Sequence, residues 1–213
     1  LPQYLDLAGA WIYLHEEGIE YIPALLEKKK AAVCRSLPLL ELGLPVVHID
    51  DESAARQLAE HQISRGVRSL HYWGIPLTFS HRRSSGVRAA AEAAGLPFTE
   101  SLDLSGTVTA LSDAVKDGPA GFVGMNDEWC YRVASALHGS DLQIPRDILL
   151  AGFDNLATPP EPWGIPLTTC IFPLREQGRL AAALISSAKA IPLKVHLAPP
   201  SVILKRESTC GTS

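Results

Sequence analysis

Short apolar runs alternate with amphipathic stretches along most of this chain, and that alternation restricts its fold more than any single residue does. Short apolar runs bounded by turn formers read as buried strands. Apolar residues recurring every third or fourth position read as one face of a helix. Strands are predicted at 10–14, 31–34, 45–49, 69–73, 98–101, 120–125 and 148–153, with helices between them at 22–29, 53–64, 84–94, 107–116 and 127–137. Ala55, Leu58, Ala59 and Gln62-Ile63 line one face of the second of these helices. Gly66, Gly95, Gly118 and Gly139 follow four of the helices, where a left-handed residue satisfies the last helical carbonyls. Strands and helices in this order demand parallel sheets covered on both faces.

After Asp154 the rhythm breaks. The stretch Thr158-Pro159-Pro160-Glu161-Pro162-Trp163 cannot be a regular element, because proline lacks a donor and fixes φ. A short run at 167–171, a long helix at 173–187 and, after a proline-rich connection, a last strand at 201–205 complete the chain. One lobe has no need of such a return. Two lobes between which the chain crosses more than once do need it, and 213 residues suffice for two modest cores.

Charge and composition remove several functions. A formal charge of −4, from 19 basic and 23 acidic residues, does not suit a segment that grips nucleic acid itself. The basic run Lys28-Lys29-Lys30 reads as a solvated helix end. No apolar stretch approaches the roughly 20 residues of a membrane-spanning helix. The start, Leu1-Pro2-Gln3-Tyr4, has neither the basic nor the apolar region of a secretory leader, which points to the cytoplasm. Cys34, Cys130, Cys170 and Cys210 are far apart, so neither a metal site nor a disulfide framework is expected. The histidines show no ligand spacing. There is no G-x-S-x-G, H-E-x-x-H, Walker or G-x-G-x-x-G pattern, and neither catalytic residues nor a cofactor are expected.

In an open parallel sheet, ligands bind outside the carboxyl ends of the strands. Asn126 ends the run at 121–125, Asp154 ends the run at 149–153, and Arg83 lies in the loop and first helical turn after the run at 70–73. A carboxylate, an amide and a guanidinium suit a polyol, since between them they accept from and donate to neighbouring hydroxyls. Trp73, Phe79 and Trp163 flank these positions and could face sugar C–H groups. Each residue also fits a plainer role. Asn126 is an ideal helix cap, and Asp127 and Glu128 after it favour the helix dipole. Asp154-Asn155 suits a turn. Arg83 beside Arg82 suits a surface pair, and Trp163 a cover over the core.

Several segments resemble the effector-binding domain of the LacI/GalR family. The stretch from Asp50 to His61, with Asp50-Asp51 and Ala54-Ala55, is similar to the family's D-N-x-x-A-A-x-x-A-x-x-H. Arg65-Gly66-Val67-Arg68, Arg83-Ser84-Ser85-Gly86-Val87 and Asn126-Asp127 resemble its R/L-G-H-R, R-x-x-G-F and N-D. Ile144-Pro145-Arg146-Asp147-Ile148 with Gly152-Phe153-Asp154-Asn155 resembles V-P-x-D-I…G-F-D-N, and Leu167-Thr168-Thr169 and Arg206-Glu207-Ser208-Thr209 resemble L-T-T and R-x-S-T. The order and spacing of these segments hold over nearly the whole chain. Near the start, Trp11-Ile12-Tyr13-Leu14, Pro23-Ala24-Leu25-Leu26 and Ala31-Ala32-Val33-Cys34-Arg35 resemble the xylose-responsive XylR branch.

The resemblance implies an α/β fold of the type I periplasmic binding protein kind. Two Rossmann-like lobes, each a parallel sheet flanked by helices, would be joined by three crossovers. It places 1–49 and 172–190 in an N-terminal lobe and 50–171 and 191–213 in a C-terminal lobe. In the family a further strand precedes Leu1 and is central in the first sheet, so a gap in that sheet is expected here. The positions matching Arg83, Asn126 and Asp154 contact effector in the family; Asp50 matches either a ligand-binding Asp or a structural one. The implied function is sensing of a monosaccharide such as xylose, with allosteric control of operator binding through a helix-turn-helix domain outside this chain, in a homodimer away from the membrane. An exported sugar-binding protein of a transporter has the same fold and the same polar positions. An enzyme using a nucleotide would need a glycine-rich loop after the first strand.

Overall fold

The computed structural model describes residues 9–12, 31–34, 45–156, 165–186, 192 and 194–210. The helix expected at 22–29 and the proline-rich segment with Trp163 lie outside them. The chain divides into two compact units, residues 1–50 with 173–200 and residues 51–172 with 201–213.

Among the described residues the first unit holds four strands, β1 (Gly9–Ile12), β2 (Ala31–Cys34), β3 (Val46–His48) and a later strand at Val195–Leu197. They form one parallel sheet in the order β1, β2, β3, Val195–Leu197. Because β1 and β2 pair directly, with Gly9 opposite Ala31, the expected gap between them is absent. Neighbouring strands in contact satisfy backbone groups that a gap would leave bare. The helix at Leu174–Ile185 covers this sheet: Ala181 packs on Val47, and Gln177 Nε2 donates to the Val47 carbonyl at 2.8 Å. The strand at Val195–Leu197 was not anticipated, since prolines on both sides hide a run of three residues.

The second unit begins with α1 (Asp51–Ser64), followed by β4 (Ser69–Trp73), α2 (Thr78–Ala94), β5 (Phe98–Ser101), α3 (Leu104–Ala114), β6 (Ala120–Gly124), α4 (Asp127–Leu137), β7 (Ile148–Phe153) and β8 (Thr168–Ile171). Numbered in chain order, the helix at 174–185 is α5 and the strand at 195–197 is β9. β10 (Val202–Leu204) and α6 (Glu207–Cys210) end the described chain. The sheet order is β10-β8-β7-β6-β4-β5, parallel except where β10 runs antiparallel to β8. β4, β6 and β7 are buried at every residue, as central strands with two covered faces must be. On one face Phe122, Ile148 and Leu150 meet α3 and α4 through Leu111, Tyr131 and Val133. On the other, Gln62 of α1 donates to the carbonyls of Phe122 and Leu149, and Tyr72 meets Ser80 of α2.

The glycines at 66, 95, 118 and 139 all have positive φ; Gly95 caps its helix in the left-handed helical conformation, whereas Gly118, at φ 129° and ψ −176°, does not. Gly86 serves another purpose. A Cβ there would collide with the Glu52 carbonyl oxygen, so α1 and α2 approach through backbone at this point.

Candidate ligand-binding site

At the carboxyl edge of the second sheet, charged and aromatic side chains meet. α2 begins at Thr78, six residues before the predicted start, and so Arg83 sits in its second turn rather than in a loop. Ser80 explains the early start. Its Oγ lies 3.0 Å from the Tyr72 hydroxyl and accepts from the Ile75 N–H, which folds the chain after β4 directly into the helix.

Arg83 therefore points inward and is only 3% exposed. Nε donates to Asp51 Oδ1 at 2.9 Å, Nη2 lies 2.8 Å from the same oxygen, and Nη1 donates to the Met125 carbonyl. The guanidinium carbon lies 4.3 Å from the Phe153 ring centre, 4.7 Å from that of Phe172 and 5.0 Å from that of Phe79. Phe153 and Phe172 are themselves nearly parallel, 10° apart at 5.5 Å. A delocalised, weakly hydrated cation suits such aromatic surroundings better than an ammonium would. Asp51 is equally buried, so each ion compensates the other. A guanidinium has five N–H groups, and the contacts with Asp51 and Met125 engage three of them. Arg83 is thus a clamp that joins the start of α1, the end of β6 and the aromatic ends of β7 and β8.

Asn126 caps α4. Its side chain accepts from the Trp129 N–H at 3.2 Å, and the residue stays partly exposed between the Arg83-bonded carbonyl of Met125 and the helix. Asp154 lies one strand over, exposed, at φ 94°, and Asn155 follows at φ 53°. Two successive left-handed residues that are not glycine form a costly turn, at roughly 1 to 2 kcal/mol each. Three backbone donors hold it. Asp154 N–H bonds the Cys170 carbonyl at 3.1 Å, Asn155 N–H bonds Thr169 Oγ1 at 3.2 Å, and Leu156 N–H bonds Asp127 Oδ2 at 2.9 Å. Arg206 Nη2 adds a bond to Asn155 Oδ1 at 2.7 Å.

Asp127, read from sequence only as a favourable charge in the first helical turn, has a larger part. It is 1% exposed and takes a second bond at Oδ1 from Thr169 Oγ1, at 2.8 Å. Burial raises its carboxyl to a pKa of about 7 against the two hydrogen bonds; the charge of Asp154 raises it further, and Arg206 works in the opposite direction. Gly152 permits the approach, because a Cβ there would collide with Asp127 Oδ1.

The edge thus brings Phe79, Arg83, Asn126 and Asp154 to adjacent strand ends. Trp73 goes elsewhere: it is 6% exposed and packs against Trp129, ring centres 5.3 Å apart, within the core under α3 and α4. Asp50 is exposed and belongs to the first unit. Trp163 is outside the described residues. Asp51, Asp127, Thr169 and Phe172 were missed as members of this edge. The signal for three of them was available, since Asp51, Asp127 and Thr169 stand in the quoted D-N, N-D and L-T-T segments. Among the described residues no group of histidine, cysteine, aspartate and glutamate side chains is arranged to hold a metal ion. No described helix is long and apolar enough to cross a membrane.

Residues 59–209 match the family of periplasmic binding protein-like domains. The HTH-type transcriptional regulator DegA of Bacillus subtilis (strain 168) is 28% identical over 214 residues, which cover 93% of this chain and 60% of the relative. The HTH-type transcriptional repressor MelR of the same strain is 25% identical, over 93% of this chain and 61% of its own length. The chain therefore spans about 60% of the length of these curated relatives. A solved LacI family transcriptional regulator from Enterococcus faecium, with bound ribose, superposes with a TM-score of 0.73 at 18% identity, over 97% of this chain and 81% of that one. A LacI family transcriptional regulator from Bifidobacterium animalis subsp. lactis gives 0.76 at 19% identity, over 100% of this chain and 82% of that one. With its parallel sheets and a match over most of its length, the chain belongs to the periplasmic binding protein-like domain family, and its fold is the one found in LacI family transcriptional regulators.

Proposed function

We propose that the chain is the effector-sensing part of a LacI-family transcription regulator, and that its effector is a small sugar bound at the carboxyl edge of the second sheet. The observation that carries this reading is the placement of Arg83 on the helix that follows β4, and of Asn126 and Asp154 just past the ends of β6 and β7, three adjacent strands of one parallel sheet. Asp154 supplies acceptors for neighbouring hydroxyls, Asn126 an amide beside the helix N-terminus, and Arg83 the N–H groups that Asp51 and Met125 leave over. Phe79, half-buried against Arg83, offers an aromatic face at the same edge. Asp50, Trp73 and Trp163 are not used in this proposal: Trp73 is in the core, and the other two have no described place at the edge.

Regulators among the relatives support sensing over transport or catalysis. A ribose-bound structure and a cellobiose complex among the similar folds support a carbohydrate as the effector class. On this reading the regulator is a cytoplasmic homodimer that binds operator DNA through a separate helix-turn-helix domain, and the sugar biases it between DNA-competent and DNA-incompetent states. The resemblance near the start makes xylose the first sugar to try.

The test is a thermal-shift panel of xylose, ribose, arabinose, glucose, maltose and cellobiose, repeated with Asp154→Ala. A ligand present at 100 times its Kd stabilises the fold by about 2.7 kcal/mol, which moves the midpoint by a few degrees. One sugar giving that shift, with the shift lost in Asp154→Ala, supports the reading. No shift with any of them would sink it.

A further inference from the structure

We propose that Asp127 is the positioning residue of this edge: through Thr169 and the Leu156 amide it holds the strained turn that presents Asp154. The effector role of Asp154 rests on the reading just given; the mechanical role of Asp127 does not.

The turn has an unusual demand. Asp154 and Asn155 both adopt left-handed backbone, and neither is glycine. Such a conformation persists only where its surroundings determine it. Of the three backbone donors that fix it, two lead to one carboxylate. Leu156 N–H reaches Asp127 Oδ2 directly, at 2.9 Å. Asn155 N–H reaches Thr169 Oγ1, whose own proton goes to Asp127 Oδ1 at 2.8 Å. The third donor, Asp154 N–H, goes to a strand carbonyl that is fixed in any case. Asp127 stands in the first turn of α4, directly after Asn126, so one residue sets the relation between the amide of Asn126 and the carboxylate of Asp154.

Both bonds are strongest while the carboxylate is ionised, and a proton on Oδ2 would set a donor against the Leu156 N–H. The groups around Asp127 are Asp154 on the turn, Arg206 ahead of α6, Thr169 on β8, and Cys130 and Tyr131 on its own helix. Burial and Asp154 favour the proton, while Arg206 and the two hydrogen bonds oppose it. The turn therefore loosens as the pH falls below neutrality. Effector affinity follows, rising with pH by about fivefold, the low end of ordinary coupling between sites.

The experiment has two arms. The first needs no effector: the amide resonance of Leu156 is followed by heteronuclear NMR from pH 5 to pH 9. The wild-type resonance is expected to titrate with a midpoint near 7, the value burial gives Asp127. Asp127→Asn, nearly isosteric, is expected to abolish that titration. Thr169→Val, which removes a donor that favours the ionised carboxylate, is expected to move the midpoint upward. A Leu156 amide that ignores pH, or that titrates equally in Asp127→Asn, would overturn the proposal. The second arm measures xylose and ribose Kd by calorimetry at pH 6 and pH 8. Asp127→Asn is expected to weaken binding about tenfold, as loss of an orienting partner does at metal sites, and to remove its pH dependence. Unchanged affinity and pH profile in the variant would overturn the positioning role. If neither sugar binds the wild type, the effector reading fails, and the first arm still decides whether Asp127 holds the turn.

Discussion

Arg83 and Asp154 stand at the same edge of the same sheet, and both were singled out for the same reason, yet the fold uses them in opposite ways. Arg83 is 3% exposed, shares an ion pair with a buried carboxylate and lies among three phenylalanines. Asp154 is exposed at the tip of a turn whose backbone is strained. A strand-end position says only that a side chain can reach the edge. Burial decides how far it is then committed to holding the edge together: Arg83 gives three of its five N–H groups to Asp51 and Met125 before any ligand arrives. The difference predicts that substitutions at the two positions separate stability from binding.

The largest effect is expected at the clamp. Arg83→Ala leaves Asp51 buried and without its cation, and the fold should lose about 3 to 5 kcal/mol in urea unfolding. Replacing both ions together, Arg83→Met with Asp51→Leu, should recover most of that loss, since what costs is the stranded charge. If Arg83→Ala unfolds within 1 kcal/mol of wild type, roughly the range of an exposed ion pair, the clamp is not buried in solution and the contrast with Asp154 collapses.

How much of this edge could be read in advance follows from the same contrast. The alternation of apolar runs gave β4, β6, β7 and α4 almost residue for residue, because central parallel strands and a capped helix carry local signatures. Arg83 was placed at the edge by its distance from β4, but its burial was not legible. That depends on Asp51, Phe153 and Phe172, which are remote in sequence and meet only when the sheet forms. Trp73 shows the converse. It ends a strand, so it was assigned to the ligand side, but strand alternation turns its ring toward Trp129 and the core. The first sheet's fourth strand was missed because Val195–Leu197 is too short to show any period.

Next in size are two buried groups whose pH responses oppose each other. Burial lowers the pKa of His71, 4% exposed and bonded to Ser69, to about 4. Its neutral form is the folded one, so its contribution is present above the unfolded value near 6.5 and is lost as the pH falls toward 4. Asp127 behaves the other way. Its pKa is raised to about 7 from 3.8, so stability is greatest at low pH and is lost as the pH rises through 7. Between pH 5 and 6.5 the two slopes nearly cancel, and wild-type stability should be flat. Asp127→Asn should expose the His71 slope, a gain of up to about 1.4 kcal/mol per pH unit as pH rises. Urea midpoints across that window check it. An equally flat profile in the variant would mean that His71 is not titrating as a buried group.

Two helix caps give a smaller and more local comparison. Asp103 caps α3 by accepting from the Gly106 N–H at 2.7 Å, and Asn126 caps α4 at 3.2 Å. Either one replaced by alanine should cost about 1 kcal/mol. Only Asn126 sits at the carboxyl edge beside Arg83 and Asp154, so only Asn126→Ala should also abolish the sugar-induced thermal shift. Equal loss of that shift in Asp103→Ala would show that helix fraying, rather than the amide, accounts for the effect.

The smallest stability effect is expected at Asp154, and its sign matters more than its size. An aspartate at φ 94° is strained, and glycine there relieves the strain at some cost in unfolded-state entropy. Asp154→Gly should therefore unfold at the same midpoint as wild type or slightly above it, within about 1 kcal/mol, while sugar binding is lost. That combination marks a residue kept for what it contacts rather than for what it holds. Arg83→Ala should show the reverse order, with stability failing first. If Asp154→Gly instead destabilises the fold as strongly as Arg83→Ala, the carboxylate is another structural clamp, and the ligand edge must be sought at other strand ends of the same sheet.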